Sequence, residues 1–242
     1  MNDHKGTIQD LSFYSHILSE ELSLLIYLPH HYSSLYKYSL CIAQDGKDYF
    51  QLGRLARTLD DLIQNGQMEN TIVVGIPYKN VEDRRNKYHP SGRQNEDYIR
   101  FLAHELIPYL EKEFPVYHVG SCRALAGDSL AATVSLMAAL RYPHTFGKVI
   151  MHSPFVNEDV LNMVRNVHQP DLLSIYHVIG KGETEVKMTN GETANFLLPN
   201  RELHEIMQAV NIPNFYDEFD GDHTWKYWQS DLPRAFKYMF GK

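Results

Sequence analysis

Chemistry is most legible in this chain at Ala126-Gly127-Asp128-Ser129-Leu130-Ala131. A serine stands there with small residues two positions before it and two after. Ser121 to Gly127 reads as a buried strand, and Leu130 to Leu140 reads as a helix. A hydroxyl presented on a sharp, strained strand-to-helix turn is a candidate nucleophile, and small neighbours let strand and helix approach closely enough to make that turn. Ala131 replaces the more usual glycine and is still small. Asp and Ser are also good helix caps, but the strand–turn–helix context favours the nucleophile.

A serine nucleophile needs a base to take its proton and an acid to orient that base. On sites of this shape the chain order is serine, acid, histidine. After Ser129, histidines occur at 144, 152, 168, 177, 204 and 223. Only His223, in Phe219-Asp220-Gly221-Asp222-His223-Thr224-Trp225, falls between a late strand and a helix, so it is the expected base. His144 and His177 read as structural. The acid is expected after the strand Ser174 to Gly180, in Gly180-Lys181-Gly182-Glu183-Thr184-Glu185. Glu183 is the first choice there and Glu185 the second. A tetrahedral intermediate needs two backbone donors. One is expected from Leu130. The other is expected from Lys47 or Gly46, in the loop Gln44 to Phe50, where Gly46 permits a sharp turn. No Cys-x-x-Cys or His-Glu-x-x-His spacing occurs, so neither a metal nor a cofactor is expected.

The elements that must position these residues follow from periodicity. Two antiparallel strands are expected within Thr7 to Pro29, turning at Ser19 to Glu21. Strands are then expected over Tyr38 to Ala43, Thr71 to Pro77, Ser121 to Gly127, Lys148 to His152, Ser174 to Gly180 and Asn214 to Phe219. Helices are expected over Leu52 to Ile63, Glu96 to Phe114 (broken at Pro108), Leu130 to Leu140, Glu158 to Val167, Leu198 to Val210 and Trp225 to Phe240. Strands alternating with helices predict an α/β fold. The sheet is expected to be mostly parallel with helices on both faces, its antiparallel N-terminal strands at one edge. One domain over residues 1–242 is expected, with an open cleft and no separate lid domain.

Taken together, these pieces resemble the putative-esterase family of α/β-hydrolases. Its members include ferric-siderophore, feruloyl and acetylxylan esterases, S-formylglutathione hydrolases and mycolyltransferases. The resemblance rests on Gln44-Asp45-Gly46, Val73 to Pro77, Arg84 to Pro90, Glu105 to Tyr109 and Ala126 to Ala131. It continues through Tyr142-Pro143 with Phe146, Ser153-Pro154, Gly180 to Glu183, and Gly221 to Trp225 with Trp228. These cover nearly the whole chain in the family's order. The resemblance implies an α/β-hydrolase fold and a serine carboxylesterase working through an acyl-enzyme. Ser129, Glu183 and His223 would be nucleophile, acid and base. Many relatives carry Asp where this chain has Glu183. An acyltransferase with the same residues, or a non-catalytic binding protein on the same fold, is the alternative. Substrate walls are expected from Asp48, Tyr49, Arg84, Tyr88, Phe155 and Trp225. Arg84 is placed to meet a substrate carboxylate or phenolate, whereas Arg85 reads as a solvated charge. Tyr49 and Trp225 either stack on an aromatic acyl group or pack internally.

Composition narrows the partners. The 242 residues hold 23 Lys+Arg against 30 Asp+Glu, a formal net charge of −7. That balance argues against non-specific nucleic-acid binding, and against a strongly anionic substrate unless Arg84 or Lys47 reverses the field locally. No apolar run approaches the roughly 20 residues of a membrane span, and the N-terminus carries no secretory pattern. Cys41 and Cys122 read as buried hydrophobes in strand-like runs. A cytoplasmic monomer or homodimer acting on a small-molecule ester is expected.

Overall fold

The computed structural model describes residues 5–189 and 191–242. Among the described residues there are ten strands: β1 (Thr7–Ser15), β2 (Glu20–Leu28), β3 (Ser39–Gln44), β4 (Thr71–Ile76), β5 (Arg123–Asp128), β6 (Lys148–His152), β7 (Ser174–Gly180), β8 (Val186–Lys187), β9 (Thr193–Ala194) and β10 (Asn214–Phe219). Nine α-helices accompany them among the described residues: α1 (Gly46–Gln51), α2 (Leu55–Gln64), α3 (Val81–Tyr88), α4 (Asn95–Phe101), α5 (Ile107–Glu113), α6 (Leu130–Arg141), α7 (Glu158–Arg165), α8 (Leu197–Ala209) and α9 (Trp225–Phe240).

Alternation along the strands decides the layering. Ile42, Val74 and Leu125 point into one hydrophobic cluster, with Leu106, Leu136, Val160 and Leu203 from the helices. Cys41, Ala43, Val73, Ala124 and Ala126 point into another, with Leu59, Leu232 and Phe236. Both faces of the central strands are therefore buried, which is why they read as continuous apolar runs. The main sheet has eight strands in the order β1-β2-β4-β3-β5-β6-β7-β10. β2 runs antiparallel to both β1 and β4, and the rest pair in parallel. The fold class expected from the sequence is the one observed. Among the described residues, no helix is long and apolar enough to cross a membrane.

The differences from the periodicity reading have local causes. The first hairpin turns two to three residues earlier than expected, over His16 to Ser19, because Ser15 pairs with Glu20. Its turn is fastened from a distance: the Glu105 carboxylate accepts the amides of His16 at 3.0 Å and Ile17 at 3.1 Å. The helix expected from Leu52 starts at Leu55, after a left-handed Arg54 (φ 51°). The segment before it, expected as a loop, is α1. Pro108 does not break its helix, because a π turn over Leu102–Leu106 joins α4 to α5, with Ile107 N–H bonded to Leu102 O. The wider turn gives the ring room where an α-helical carbonyl would clash. Cys122 is only half-buried, in a 3-10 turn ahead of β5. α3 has no apolar periodicity to announce it, because Val81–Tyr88 is almost wholly polar. Its capping signal was nevertheless present: Asn80 Oδ1 accepts Asp83 N–H at 2.9 Å, with acids in the first turn and bases in the last.

One core group makes acid stability predictable. His177 is fully buried, its Nε2 2.6 Å from Asn200 Oδ1. The Asn200 amide in turn donates to Pro154 O and Phe196 O at 2.9 and 2.8 Å. Burial pushes the His177 pKa down from 6.5 to about 4, with the Asn200 bond opposing. The unfolded chain therefore takes up this proton at a higher pH than the folded one. Its contribution to stability is complete above pH 6.5 and falls as pH drops from 6.5 to about 4. The total loss is about 3 kcal/mol. His177→Gln should flatten the dependence of urea-unfolding free energy on pH across that window, and an unchanged slope would exclude His177 as its source.

Candidate active site

Ser129 sits between β5 and α6 with φ 53° and ψ −126°. That conformation is sparsely populated for any residue but glycine, so the surroundings must enforce it. Ser129 N–H donates to His152 O at 2.9 Å, and Thr133 N–H donates to Ser129 O at 3.1 Å. Thr133 Oγ1 also donates to Phe155 O at 2.7 Å. A Cβ on Gly127 would lie 2.2 Å from the Ala131 carbonyl carbon. Only glycine fits there, while the side chain of Ala131 is accommodated in the core.

Glu183 and His223 come from loops after β7 and β10. Glu183 Oε2 lies 2.6 Å from His223 Nδ1. Its Oε1 accepts Ser153 Oγ–H at 2.6 Å and Gly180 N–H at 2.8 Å. An ionised carboxylate only accepts, so Nδ1 carries the ring hydrogen and Nε2 is left as a proton acceptor. The two loops are stitched by Lys181 N–H to Phe219 O and Gly182 N–H to Gly221 O, both 2.9 Å. This proximity demands glycine at 180, where a Cβ would meet Gly221 O at 2.4 Å. Glu185 is exposed, whereas Glu183 is 1 % exposed. The structure brings Glu183, and not Glu185, to the histidine. Phe196 and Trp228 pack edge-on against the His223 ring, with centroids 4.6 and 4.9 Å away.

The loop after β3 differs in mechanism from the sequence reading. Asp45, not Gly46, takes the left-handed conformation (φ 52°), and Gly46 and Lys47 open α1. As the first two helical residues, they have amides with no intrahelical carbonyl to reach. Leu130 holds the same position in α6. Arg84 fastens this arrangement. Its Nε donates to both Asp45 oxygens, at 3.0 and 2.8 Å, and Nη2 reaches Asp45 Oδ2 at 2.6 Å and Asp128 O at 3.3 Å. Arg84 was expected to meet a substrate anion; instead its charge is committed to Asp45. Burial opposes the Arg84 charge, but Asp45 more than restores it. Burial also pushes the Asp128 carboxyl well up, with Asp45 adding to the rise and Arg84 opposing it.

Ser129, Leu130 and His223 line a cavity of about 190 Å³. Of the expected wall residues, Arg84 and Phe155 line it, whereas Asp48, Tyr49, Tyr88 and Trp225 do not. Tyr49 and Tyr88 are fully buried. Tyr49 packs edge-on against Trp225 at 4.9 Å, and Trp225 against Trp228 at 5.7 Å. Of these three rings, Trp228 is the one that packs on His223. Asp48 accepts from Tyr78 OH at 3.3 Å. The walls that sequence reading missed are Arg85 and His89, at and just after the end of α3, Phe196, and Val186 to Thr189 with Glu192 on the β8–β9 hairpin. The hairpin strands are two residues each, too short for alternation to register.

The sequence pattern of the family described as "Putative esterase" matches residues 15–239. The chain belongs to this family. As a putative-esterase family member it is a carboxylic ester hydrolase, with small-molecule esters as its substrates. It is 48% identical over 239 residues to the uncharacterized protein YjcH of Bacillus subtilis, covering 99% of this chain and 100% of that one. It is 24% identical to the iron(III) salmochelin esterase of Escherichia coli, over 80% of this chain and 48% of the relative. Among solved structures, a ferulic acid esterase superposes with a TM-score of 0.83 at 19% identity, covering 98% of both chains. The enterobactin esterase of Shigella flexneri gives 0.80 at 18%, over 96% of this chain and 59% of that one. These superpositions bear on the fold, an α/β-hydrolase architecture.

Proposed function

We propose that this esterase hydrolyses small to medium esters through an acyl-enzyme on Ser129. His223 Nε2 takes the Ser129 hydroxyl proton as Oγ attacks the ester carbonyl. The tetrahedral intermediate collapses, the C–O bond to the alcohol breaks, and His223 returns the proton to the departing alkoxide. Water, deprotonated by the same imidazole, then attacks the acyl-enzyme, releasing the acid and regenerating Ser129. Glu183 holds the histidine tautomer and stabilises the imidazolium. The negative oxygen meets the Leu130 N–H and an N–H from Gly46 or Lys47 at the start of α1.

The observation that carries this reading is the 2.6 Å contact of a buried Glu183 with His223 Nδ1, on a histidine that lines one cavity with the strained Ser129. Phe155, Val186, Met188 and Phe196 make that cavity predominantly apolar, which suits an ester's uncharged acyl or alkoxy group. The β8–β9 hairpin is one wall of this cleft, in place of a separate lid domain. Free, buried Cys41 suits a reducing, cytoplasmic location.

A fluorophosphonate probe should label Ser129 stoichiometrically and abolish hydrolysis of p-nitrophenyl acetate, with peptide mapping locating the adduct. Labelling at another residue, or hydrolysis that survives complete labelling, would refute the acyl-enzyme.

A further inference from the structure

We propose that Ser153 and Trp228 are positioning residues that aim the Glu183 carboxylate at His223; the proposal rests on the acyl-enzyme reading above. Trp228 Nε1–H donates to Ser153 Oγ at 3.0 Å, and Ser153 Oγ–H donates to Glu183 Oε1 at 2.6 Å. The direction of this chain is forced. An indole N–H can only donate and an ionised carboxylate can only accept, so the hydroxyl must receive from one and give to the other. All three side chains are buried, with Ser153 at 0 %, Glu183 at 1 % and Trp228 at 4 % exposure.

The relay answers a mechanical need. A glutamate has one more rotatable bond than an aspartate, and a carboxylate held only by the histidine could turn about its last bond. Ser153 and the Gly180 amide both hold Oε1, so the carboxylate plane is set and Oε2 is left facing Nδ1. Ser153 adopts a left-handed backbone (φ 49°) that non-glycine residues seldom take. Its amide is tied to Val178 O at 2.8 Å, and the carbonyl just before it, on His152, accepts the Ser129 amide at 2.9 Å. One strained turn at the end of β6 thus holds the backbone of the nucleophile and the side chain that fixes the acid. Trp228 adds a second constraint by packing its ring edge-on against His223.

The experiment is a double-mutant cycle on p-nitrophenyl acetate hydrolysis with Ser153→Ala, Trp228→Phe and their combination, with folding followed by circular dichroism. Ser153→Ala removes a charge-assisted hydrogen bond and should lower kcat by about 10- to 100-fold with KM unchanged within about twofold. Trp228→Phe keeps an aromatic ring against His223, removes the donor, and should lower kcat by about 3- to 10-fold. Because both act through one hydroxyl, the combined variant should match Ser153→Ala within about twofold. A kcat near wild type in Ser153→Ala, or losses that multiply in the combined variant, would overturn the relay. If Ser153→Ala does not fold, Trp228→Phe decides alone: kcat loss at constant KM supports the relay, and no loss overturns it. Ser129→Ala run alongside separates the two readings, since activity surviving in that variant would remove the acyl-enzyme itself.

Discussion

Ser129→Ala should lower kcat/KM for p-nitrophenyl acetate by about 10,000-fold or more, with an unfolding free energy within about 0.5 kcal/mol of wild type. The chemical loss is large because the attacking atom disappears, while Leu130 N–H, the cavity walls and His223 remain to give only residual catalysis. The stability change is small because the cost of the elbow lies in the backbone. Ser129 holds φ 53° with a Cβ already present, and alanine brings the same Cβ. The restraints on that backbone, from His152 O and Thr133 N–H, involve main-chain atoms of residue 129 and are untouched. Stopped-flow or endpoint esterase assays and a urea melt measure the two quantities. Turnover within tenfold of wild type would exclude Ser129 as the nucleophile.

Arg84→Met should destabilise the protein by about 3–5 kcal/mol, because it leaves the Asp45 carboxylate buried and without its counter-charge. The Asp45 side chain is 2% exposed, and the Arg84 guanidinium is its bidentate partner. The same substitution should lower kcat by roughly 100- to 1,000-fold, the usual loss when an oxyanion donor is displaced. Arg84 ties the left-handed Asp45, which caps α1, to the carbonyl of Asp128 just before the proposed nucleophile. It therefore spans the two segments that supply the proposed donors. Pairing Arg84→Met with Asp45→Asn removes the stranded charge and should restore much of the stability, but not the activity. Denaturant melts and kcat on the single and paired variants test this. Equal stabilities in the single and paired variants would show that Asp45 carries no stranded charge.

Much of this architecture is legible in one dimension because its signals are local. The buried strands carry apolar runs, Gly127 and Ala131 flank the serine at the spacing a tight elbow needs, and Gly221 marks the turn beside His223. Glu183 ranks ahead of Glu185 in the sequence, but both lie in one exposed-looking loop, so the choice there rests on position alone. Only the fold sets one in contact with Gly180, Ser153 and His223 and turns the other to solvent.

Arg84 is the sharper case. By composition it is a cation near the cleft, ready for an anionic ligand. In three dimensions its charge is neutralised by an aspartate 39 residues away, and Arg85 is the neighbour left exposed on the cavity wall. For Tyr49 and Trp225, open between stacking on a substrate and packing internally, the fold decides for packing, Tyr49 on Trp225 and Trp225 on Trp228.

The sequence by itself therefore determined the fold class and the serine's strand–turn–helix setting, and it singled out His223 as the candidate base. Periodicity and small-residue spacing act over a few neighbours and survive without a fold. The partner of each charge and the walls of the cavity were decided by tertiary structure alone. They depend on which chain segments, distant in sequence, the twisted sheet brings together at its carboxyl edge, and no local pattern encodes that meeting.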